Sequence, residues 1–421
     1  MHPRRLTPRL LEALADTPVV LLHGPRQCGK STLVQRLAGG DLGARYVTLD
    51  AMVPRAAATH DPETFLRELG RPAVIDEVQR VPQLFHAIKL AVDTDRRPGQ
   101  LLLTGSADIA LMPAISESLA GRVERLTLWP LAQCELAGTS GNLVDMLFAS
   151  APPRTSGLLG RQDYLALAIR GGFPEAVSRA AGRRRGRWFA SYLDTMVERD
   201  VPQLADIDGV ITLPRLLAAL ADRAGGLVNV ADLARDLDMN RLTVKKYTTL
   251  LQMAFLTREL PAWHRSVGAR LRKAPKIIFP DSGLLAHLLG ADDARSAAAE
   301  RRAGALIENL VVSEVMKLMS WADTEAHAHH LRTEDDVEVD LVLEARDGRL
   351  VGIEVKAAAS IEARDLRGLR RLQALVGDDL MAGVILHSGS EAVAFGERLY
   401  ALPISALWSE VGAGCAAVTG E

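Results

Sequence analysis

The sequence predicts an α/β protein that begins with a parallel sheet, and three observations lead to this prediction. Short apolar runs alternate with helical stretches up to about residue 136. A glycine-rich segment, residues 24–31, joins the first apolar run to a helical stretch. From about residue 300 the alternation of helix and strand returns, which indicates a second α/β unit.

The domain organisation follows from the length and from changes of pattern. A typical domain has about 150 residues, so a chain of 421 residues is expected to contain two or three. We predict an α/β core over 1–136, a helical lid over 137–205, a winged helix-turn-helix over 206–265, a linker over 266–299 and an α/β domain over 300–421. In the core, strands are predicted at 19–22, 46–49, 73–75, 101–103 and 126–129.

Composition argues against some classes of protein. The 50 basic residues nearly balance the 52 acidic residues, so any nucleic-acid surface must be local. Cys28, Cys134 and Cys415 fit no spacing of a metal site or disulfide, which is typical of a reducing compartment. Glu12 and Asp16 interrupt the first apolar stretch, and no run of about 18 apolar residues follows. We expect a cytoplasmic protein without a membrane partner.

The glycine-rich segment has the features of a phosphate-binding loop. An apolar strand precedes it and a helix follows, so that backbone N–H groups and the positive end of the helix form an anion site. Lys30 is expected to bridge the terminal phosphates of ATP, and Ser31 to bind Mg²⁺. The predicted ATP-binding residues are Gly24, Pro25, Arg26, Gln27, Cys28, Gly29, Lys30, Ser31 and Thr32.

Two adjacent carboxylates end a later apolar strand, in the segment RPAVIDEVQR. Asp76 is predicted to bind the magnesium ion together with Ser31. Glu77 is predicted to polarise the attacking water, because a second acid at this position is typical of hydrolases rather than kinases. The pair is common alone but becomes specific in combination with the phosphate-binding loop, and it predicts ATP hydrolysis.

Further catalytic candidates lie beyond the acidic pair. In the segment LTGSA, Thr104 or Ser106 is placed to sense the γ-phosphate, and a simple turn after the strand is the alternative. Arg122, Arg125 and Arg199 are candidates for an arginine that neutralises charge in the transition state. Arginine is abundant in this chain, so each one alone is a weak candidate.

Several motifs together resemble one prokaryotic family. GPRQCGKSTL, VIDEVQ, LTGSA, SLAGRV and KAPKIIFPDSGLLAHLLG are similar to segments of AAA-type P-loop ATPases that carry a C-terminal domain of unknown function. The resemblance extends along nearly the whole chain. It implies the order of the domains but no substrate.

The middle of the chain has the spacing of a helix-turn-helix. Residues 228–260 contain one helix, a tight turn near 238–240, a second helix and a strand-like end, which is typical of a winged helix. Arg241, Thr243, Lys245 and Lys246 would then face DNA, with the lysines mainly at phosphates. An adaptor that packs between the outer domains is an equal alternative.

The C-terminal domain contains a carboxylate within an apolar helical stripe. Glu308 lies among Val311, Val312, Val315 and Met319, so it is expected to meet a metal ion, a lysine or another cation. Two strands follow, joined by a turn at 347–348. The alternation of residue types predicts that Val337, Val339, Leu341 and Leu343 share one face, with Asp340 on the other.

The second of these strands carries Glu354 and Lys356 on one face. With Glu308 and Asp340 they would converge at one end of a small sheet, as in nucleases that bind Mg²⁺ between carboxylates while a lysine positions water. The order of elements is similar to the restriction-endonuclease-like fold, and all four polar positions of that family's motif are present. A salt-bridge network around Lys356 without catalysis is the alternative.

The sequence thus predicts an enzyme: a Mg²⁺-dependent ATPase that couples nucleotide state to a winged helix and a nuclease-like domain, acting on DNA. A homo-oligomer is possible, because the catalytic arginine can come from a neighbouring subunit. The alternative is a nucleotide-switch regulatory ATPase whose C-terminal domain binds protein or DNA without catalysis.

Overall fold

A computed structural model of the protein describes residues 2–108, 121–150, 157–204, 212–270 and 273–409, and helices and strands are numbered below within these ranges. Cys28 and Cys134 are buried and free, and Cys415 lies outside the described residues. In the part of the chain that is described, no helix is both long and apolar enough to cross a membrane.

Five parallel strands form the first sheet, in the order β2-β3-β4-β1-β5. They are β1 (Val19–His23), β2 (Arg45–Thr48), β3 (Ala73–Asp76), β4 (Leu101–Gly105) and β5 (Val123–Thr127). Each lies within three residues of its predicted position. The predicted α/β core with a parallel sheet is confirmed.

Helices cover both faces of this sheet. They are α1 (Thr7–Asp16), α2 (Lys30–Gly39), α3 (Met52–His60), α4 (Pro62–Leu69) and α5 (Leu84–Thr94). Successive side chains of β1 point to opposite faces, so Val19 and Leu21 pack with α3, α4 and α5, whereas Val20 and Leu22 pack with α1 and α2. Burial on both faces explains the continuous apolar run of β1 in the sequence.

Short helices follow, in the region predicted to be a lid. They are α6 (Gln133–Ala137), α7 (Leu143–Phe148), α8 (Arg161–Arg170), α9 (Pro174–Ser178), α10 (Arg183–Thr195) and α11 (Val201–Leu204), with a π-helical turn at Met196–Asp200. Leu143 and Phe148 of α7 pack into the core of the C-terminal sheet. Phe189 and Leu193 of α10 pack with the middle helices instead. The lid region therefore has two different packing partners.

The described part of the middle region consists of four helices and a two-stranded antiparallel sheet. Its elements are α12 (Thr212–Asp222), α13 (Val230–Asp236), α14 (Arg241–Met253), β6 (Arg258–Leu260), α15 (Val267–Arg270) and β7 (Lys276–Ile278). Asn240 begins α14, because its side chain accepts a 2.8 Å hydrogen bond from the backbone N–H of Leu242. Residues 266–299, predicted to be a linker, include α15, β7 and the next helix, α16 (Ser282–Leu288).

The C-terminal unit begins with a long helix and continues as a six-stranded sheet in the order β12-β13-β11-β10-β9-β8. Its elements are α17 (Ala297–Met319), β8 (Ala326–Arg332), β9 (Glu338–Ala345), β10 (Leu350–Lys356), α18 (Arg367–Val376), β11 (Leu380–His387), β12 (Val393–Ala394) and β13 (Leu399–Pro403). As predicted, β9 and β10 are antiparallel, with Gly348 in the left-handed region (φ +90°) at their turn.

A bulge interrupts the pairing of β9 with β8 at Asp340. His329 lies opposite Val342, but Leu331, two residues later, lies opposite Val339, three residues earlier. One extra residue is therefore accommodated in β9. A bulge of this kind changes the face to which the following side chains point.

The bulge corrects the predicted faces of β9. Asp340 contacts Lys276 on the side of the sheet that faces α17, and Leu341 packs with residues of α17 on that same side. Val339 packs with α18 on the opposite side. The prediction that Val339 and Leu341 share a face opposite to Asp340 is wrong, because strict alternation does not continue through a bulge.

Candidate nucleotide site and C-terminal acidic cluster

The phosphate-binding loop begins where β1 ends. Gly24 and Gly29 have φ values of +151° and +103°, in the left-handed region that favours glycine. A Cβ atom on Gly24 would lie 2.1 Å from the carbonyl oxygen of Leu128, so no larger residue fits there. The loop ends at Lys30, the first residue of α2, as expected for a site that uses the N-terminus of a helix.

Lys30 lies inside the loop. Its side chain is buried, and Nζ donates hydrogen bonds to the carbonyl oxygens of Gly24 at 2.9 Å and Pro25 at 2.8 Å. These partners are neutral backbone groups of the loop itself. The ammonium charge of Lys30 is therefore not neutralised by a carboxylate among the described residues, which suits a group that binds phosphate.

The two predicted magnesium ligands lie side by side. Ser31 Oγ donates to Asp76 Oδ1 at 3.0 Å, and Thr104 Oγ1 donates to the same oxygen. Tyr46 donates from its hydroxyl to Asp76 Oδ2 at 2.8 Å, and burial together with this carboxylate raises the pKa of Tyr46 to about 12. A hydroxyl and a carboxylate in contact are the ligand types that Mg²⁺ takes, so these residues fit the ion.

Glu77 has its own set of hydrogen-bond donors. Its backbone is in the left-handed region (φ 59°), and its N–H donates to Thr104 Oγ1 at 3.0 Å. Ser106 Oγ donates to Glu77 Oε2 at 3.0 Å, and Gln79 Nε2 donates both to that oxygen and to Ser106. Thr104 thus contacts both acids, whereas Ser106 contacts Glu77 alone.

The loop and Glu77 line a cleft of about 540 Å³ that the lid region completes. Its lining residues are Gln27, Gly29, Lys30, Ser31, Thr32, Glu77, Pro174, Glu175 and Trp188. Arg26, predicted to bind ATP, forms an ion pair with Asp200 of the π-helical turn. The lid region therefore contacts the phosphate-binding loop.

Three residues of this site were missed in the sequence. Tyr46 is a further donor to Asp76 and Gln79 a further donor to Glu77. In the sequence each is a polar residue without a motif of its own. Arg4 donates to the carbonyl oxygens of Cys28 at 2.7 Å and Trp129 at 2.6 Å, and so connects the backbone of the loop with the segment after β5. No sequence pattern connects Arg4 with a loop more than twenty residues away.

The structure does not bring Arg122 to the loop. This residue lies before the first residue of β5, whose start pairs with the start of β1, so it is at the opposite edge of the sheet from Gly24. Its guanidinium forms an ion pair with Asp93. Arg125 and Arg199 are exposed. As a catalytic arginine, Arg122 would have to act on the site of a neighbouring chain.

The C-terminal acids converge, but around a lysine of the middle region. Lys276 of β7 is fully buried, and its Nζ lies 3.1 Å from Glu308, 3.2 Å from Asp340 and 2.5 Å from Glu338. These carboxylates raise the pKa of Lys276 against the opposing effect of its burial. Glu338 and Lys276 were not among the predicted site residues.

The remaining two predicted residues lie beside this group. Lys356 Nζ donates to Glu354 Oε1 at 2.8 Å, and Asp340 Oδ2 accepts a hydrogen bond from the backbone N–H of Val355. Burial, and then the charge of Asp340, raise the pKa of Glu308 to about 7 and that of Glu354 to about 8. The structure therefore brings together all four predicted positions.

This cluster does not fit a metal ion in the conformation described. Nζ of Lys276 lies in contact with both Glu308 and Asp340, where a shared metal ion would have to bind. Across the described ranges, no three His, Cys, Asp or Glu side chains are grouped so that they could bind a metal ion. The metal set Glu308, Asp340 and Glu354 remains a prediction from the sequence.

In the middle region, α14 exposes basic residues at its first turns. Arg241, Lys245 and Lys246 are exposed and Thr243 is half-buried, whereas the opposite face of the helix is buried. The end of α14 contacts the first sheet: the backbone N–H of Asp108 donates to the carbonyl oxygen of Met253 at 2.7 Å. Asp108 follows β4 and is two residues beyond Ser106.

Three segments of the chain match known families. Residues 16–137 match the family described as AAA domain. Residues 161–295 match the domain of unknown function DUF8612, and residues 303–407 match the domain of unknown function DUF4143. Uncharacterized proteins of Mycobacterium tuberculosis and Mycobacterium bovis are each 34% identical over 397 residues, which is 94% of this chain and 82% of theirs. An uncharacterized Haemophilus influenzae protein is 25% identical over 58% of this chain and 57% of its own length.

Solved structures show weaker likeness. A variant of Thermotoga maritima RuvB is 20% identical, covers 61% of this chain and 89% of its own chain, and has a TM-score of 0.30. Drosophila ORC bound to AT-rich DNA and Cdc6 covers 67% of this chain and 89% of its own chain, with 13% identity and a TM-score of 0.20. Scores of this size are no basis for assigning a function.

Proposed function

Because the chain belongs to the same family as the uncharacterized mycobacterial proteins, and its first part is an AAA-type P-loop domain, we propose that it binds and hydrolyses ATP. We further propose that the bound nucleotide controls how the protein acts on DNA. Lys30 and the loop would bind the phosphates, and Ser31 with Asp76 would bind Mg²⁺. Glu77 would accept a proton from the attacking water.

The contact between Asp108 and α14 is the observation that carries the coupling. Ser106 donates to Glu77, the proposed base, and Asp108 two residues later is hydrogen-bonded to the end of α14. Phe255, just beyond α14, packs edge to face on His23 and Trp129 at the carboxyl end of the first sheet. A change in the hydrogen bonding of Ser106 when the γ-phosphate is hydrolysed would therefore be transmitted to α14 through Asp108, two residues further along the chain.

The exposed basic residues of α14 support DNA as the partner. In the middle region, α12, α13 and α14 precede the strands β6 and β7, which is the order typical of a winged helix. The exposed basic residues lie at the start of α14, the second helix of the predicted helix-turn-helix. Lysines in this position mainly contact phosphates, so DNA binding should weaken as salt rises.

ATPase assays with and without duplex DNA test this proposal. We expect Mg²⁺-dependent turnover that DNA stimulates, with no turnover in Lys30→Ala. Lys245→Ala with Lys246→Ala should weaken DNA binding and reduce the salt slope by about 2. Arg367→Ala with Arg370→Ala removes the same charge from the exposed face of α18 and is the matched control. Turnover that survives Lys30→Ala would exclude the proposed site.

A regulatory switch with a non-catalytic C-terminal domain is the second candidate, and the position of Lys276 favours it over a nuclease. DNA from the same ATPase assays can be scored for cuts. Cleavage that disappears in Asp340→Ala and in Lys356→Ala would establish the nuclease instead. Intact single-stranded, duplex and branched DNA would support the switch.

A further inference from the structure

The two antiparallel strands of the middle region, β6 and β7, are called the middle hairpin below. The acidic cluster lies where this hairpin contacts the C-terminal sheet. Four carboxyl groups meet there, those of Glu308, Glu338, Asp340 and Glu354, and the ammonium group of Lys276 is in contact with the first three. Lys276 belongs to β7 of the hairpin, whereas all four acids belong to the C-terminal unit. Lys356 of β10 contacts the fourth acid, Glu354, but the cation that contacts the other three is supplied by a different part of the chain.

Glu354 shows that the cluster is not saturated with donors. Its side chain is buried, and Oε1 accepts from Lys356, but Oε2 has no hydrogen-bond partner among the described residues. A buried carboxylate oxygen without a donor is costly unless a proton or a cation is present. The cluster thus retains one carboxylate oxygen that a cation could contact if Lys276 were absent.

The hairpin connection is attached to the same sheet along its length. The backbone N–H of Trp263 donates to the carbonyl oxygen of His330 at 2.6 Å, and the backbone N–H of His330 donates to the carbonyl oxygen of Pro261 at 2.9 Å. Arg270 forms a two-pronged ion pair with Glu344 of β9. Lys276, in the same part of the chain, adds the contact with the acidic cluster.

We propose that Lys276 serves as the cation of the acidic cluster in place of a metal ion, and that the cluster locks the middle hairpin to the C-terminal sheet. A divalent cation and Lys276 are then mutually exclusive. While the hairpin is docked, the carboxylates stabilise an interface between two parts of the chain. The site accepts a divalent cation only when the ammonium group is removed.

Manganese binding to the full chain without nucleotide tests the lock. Free Mn²⁺ is measured by electron paramagnetic resonance, and the melting temperature is recorded with and without Mn²⁺. The wild type and Asp340→Asn should bind the same amount of Mn²⁺. Lys276→Met should melt several degrees lower than the wild type, bind one additional Mn²⁺ per chain and regain much of the lost melting temperature when Mn²⁺ is present.

Two further variants serve as controls. Lys273→Met removes a lysine of the same segment whose Nζ donates to the carbonyl oxygen of Arg332 rather than to an acid, and it should gain no Mn²⁺ site. Lys276→Met combined with Asp340→Asn should lose the additional site.

The proposal is overturned if wild-type protein binds a Mn²⁺ ion that Asp340→Asn abolishes, or if folded Lys276→Met gains none. The comparison of wild type with Asp340→Asn decides the question even where Lys276→Met does not fold. ATP turnover in the same preparations reports on the proposed function separately, because the lock does not depend on hydrolysis.

Discussion

The carboxylates of the two acidic sites accept hydrogen bonds from different kinds of donor. At the phosphate-binding loop, the side chains that donate to Asp76 and Glu77 within the described part of the chain are hydroxyl and amide groups, and the nearby Lys30 donates to backbone carbonyls. In the C-terminal cluster, the acids bond to ammonium groups of Lys276 and Lys356. Neutral donors orient a carboxylate and leave its charge available to a metal ion, whereas an ammonium group neutralises it.

The largest expected effect compares the two buried lysines. Lys276→Met leaves three carboxylates without their cation, so we expect a loss of about 3–5 kcal/mol in the free energy of unfolding. Lys30→Met removes the two bonds to neutral carbonyls that Lys30 makes among the described residues, and about 1 kcal/mol should be lost. Urea denaturation of both variants checks this. Equal losses would remove the distinction between the sites.

The next effect concerns Glu77. Glu77→Gln retains the contacts to the side chains of Ser106 and Gln79 in shape but removes the base, so turnover should fall at least about 100-fold, the equivalent of about 3 kcal/mol. ATP binding, measured by fluorescence of a labelled nucleotide, should be unchanged. Glu175→Gln, which alters another carboxylate of the same cleft, is the control. If both variants turn over at the wild-type rate, Glu77 is not the base.

A pH effect is expected at the hairpin interface rather than at the loop. Burial, and then the charge of Lys276, lower the pKa of His330 to about 4. This value is below the pKa of about 6.5 that histidine has in the unfolded chain. The contribution of the neutral His330 side chain to the free energy of unfolding is therefore complete above pH 6.5 and is lost as the pH falls towards 4.

Between pH 7 and pH 5, His330 should therefore account for a loss of roughly 2 kcal/mol in the free energy of unfolding. His330→Gln, which does not titrate, should show a smaller loss on acidification. The exposed neighbour gives the control variant His327→Gln, which should behave like the wild type. Identical pH profiles for all three proteins would contradict the expected role of His330.

The smallest expected effect is at Tyr46. Tyr46→Phe removes one hydrogen bond from a neutral donor to Asp76 and leaves Ser31 and Thr104 in place, so about 1 kcal/mol should be lost, or roughly a fivefold change. It should appear as a higher Mg²⁺ concentration for half-maximal turnover, with the maximal rate nearly unchanged. A fall in maximal rate without a change in Mg²⁺ requirement would place Tyr46 in a different role.

The predictability of the two sites differs for a structural reason. The loop from Gly24 to Ser31 is contiguous, and Asp76 and Glu77 lie at the carboxyl end of β3, which is separated from β1 by β4 in the same parallel sheet. Local pattern and parallel-sheet geometry were therefore sufficient to predict that they meet. Tyr46, Gln79 and Arg4 could not be assigned in this way, because their roles depend on side-chain directions. Arg122 was predicted from its motif and lies at the edge of the sheet opposite to the loop of its own chain, so its role as a catalytic arginine stays a prediction.

The sequence by itself determined the parallel sheet and the phosphate-binding loop, since both follow from patterns within short segments. It also predicted that Glu308, Asp340, Glu354 and Lys356 converge, but it did not give the correct faces of β9. Only the tertiary structure decided what neutralises those acids. Lys276 is 32 residues from Glu308 and 64 from Asp340 along the chain, and the bulge in β9 determines the face on which Asp340 lies. Pairing of charges between distant segments depends on packing in three dimensions, which periodicity along one segment does not encode.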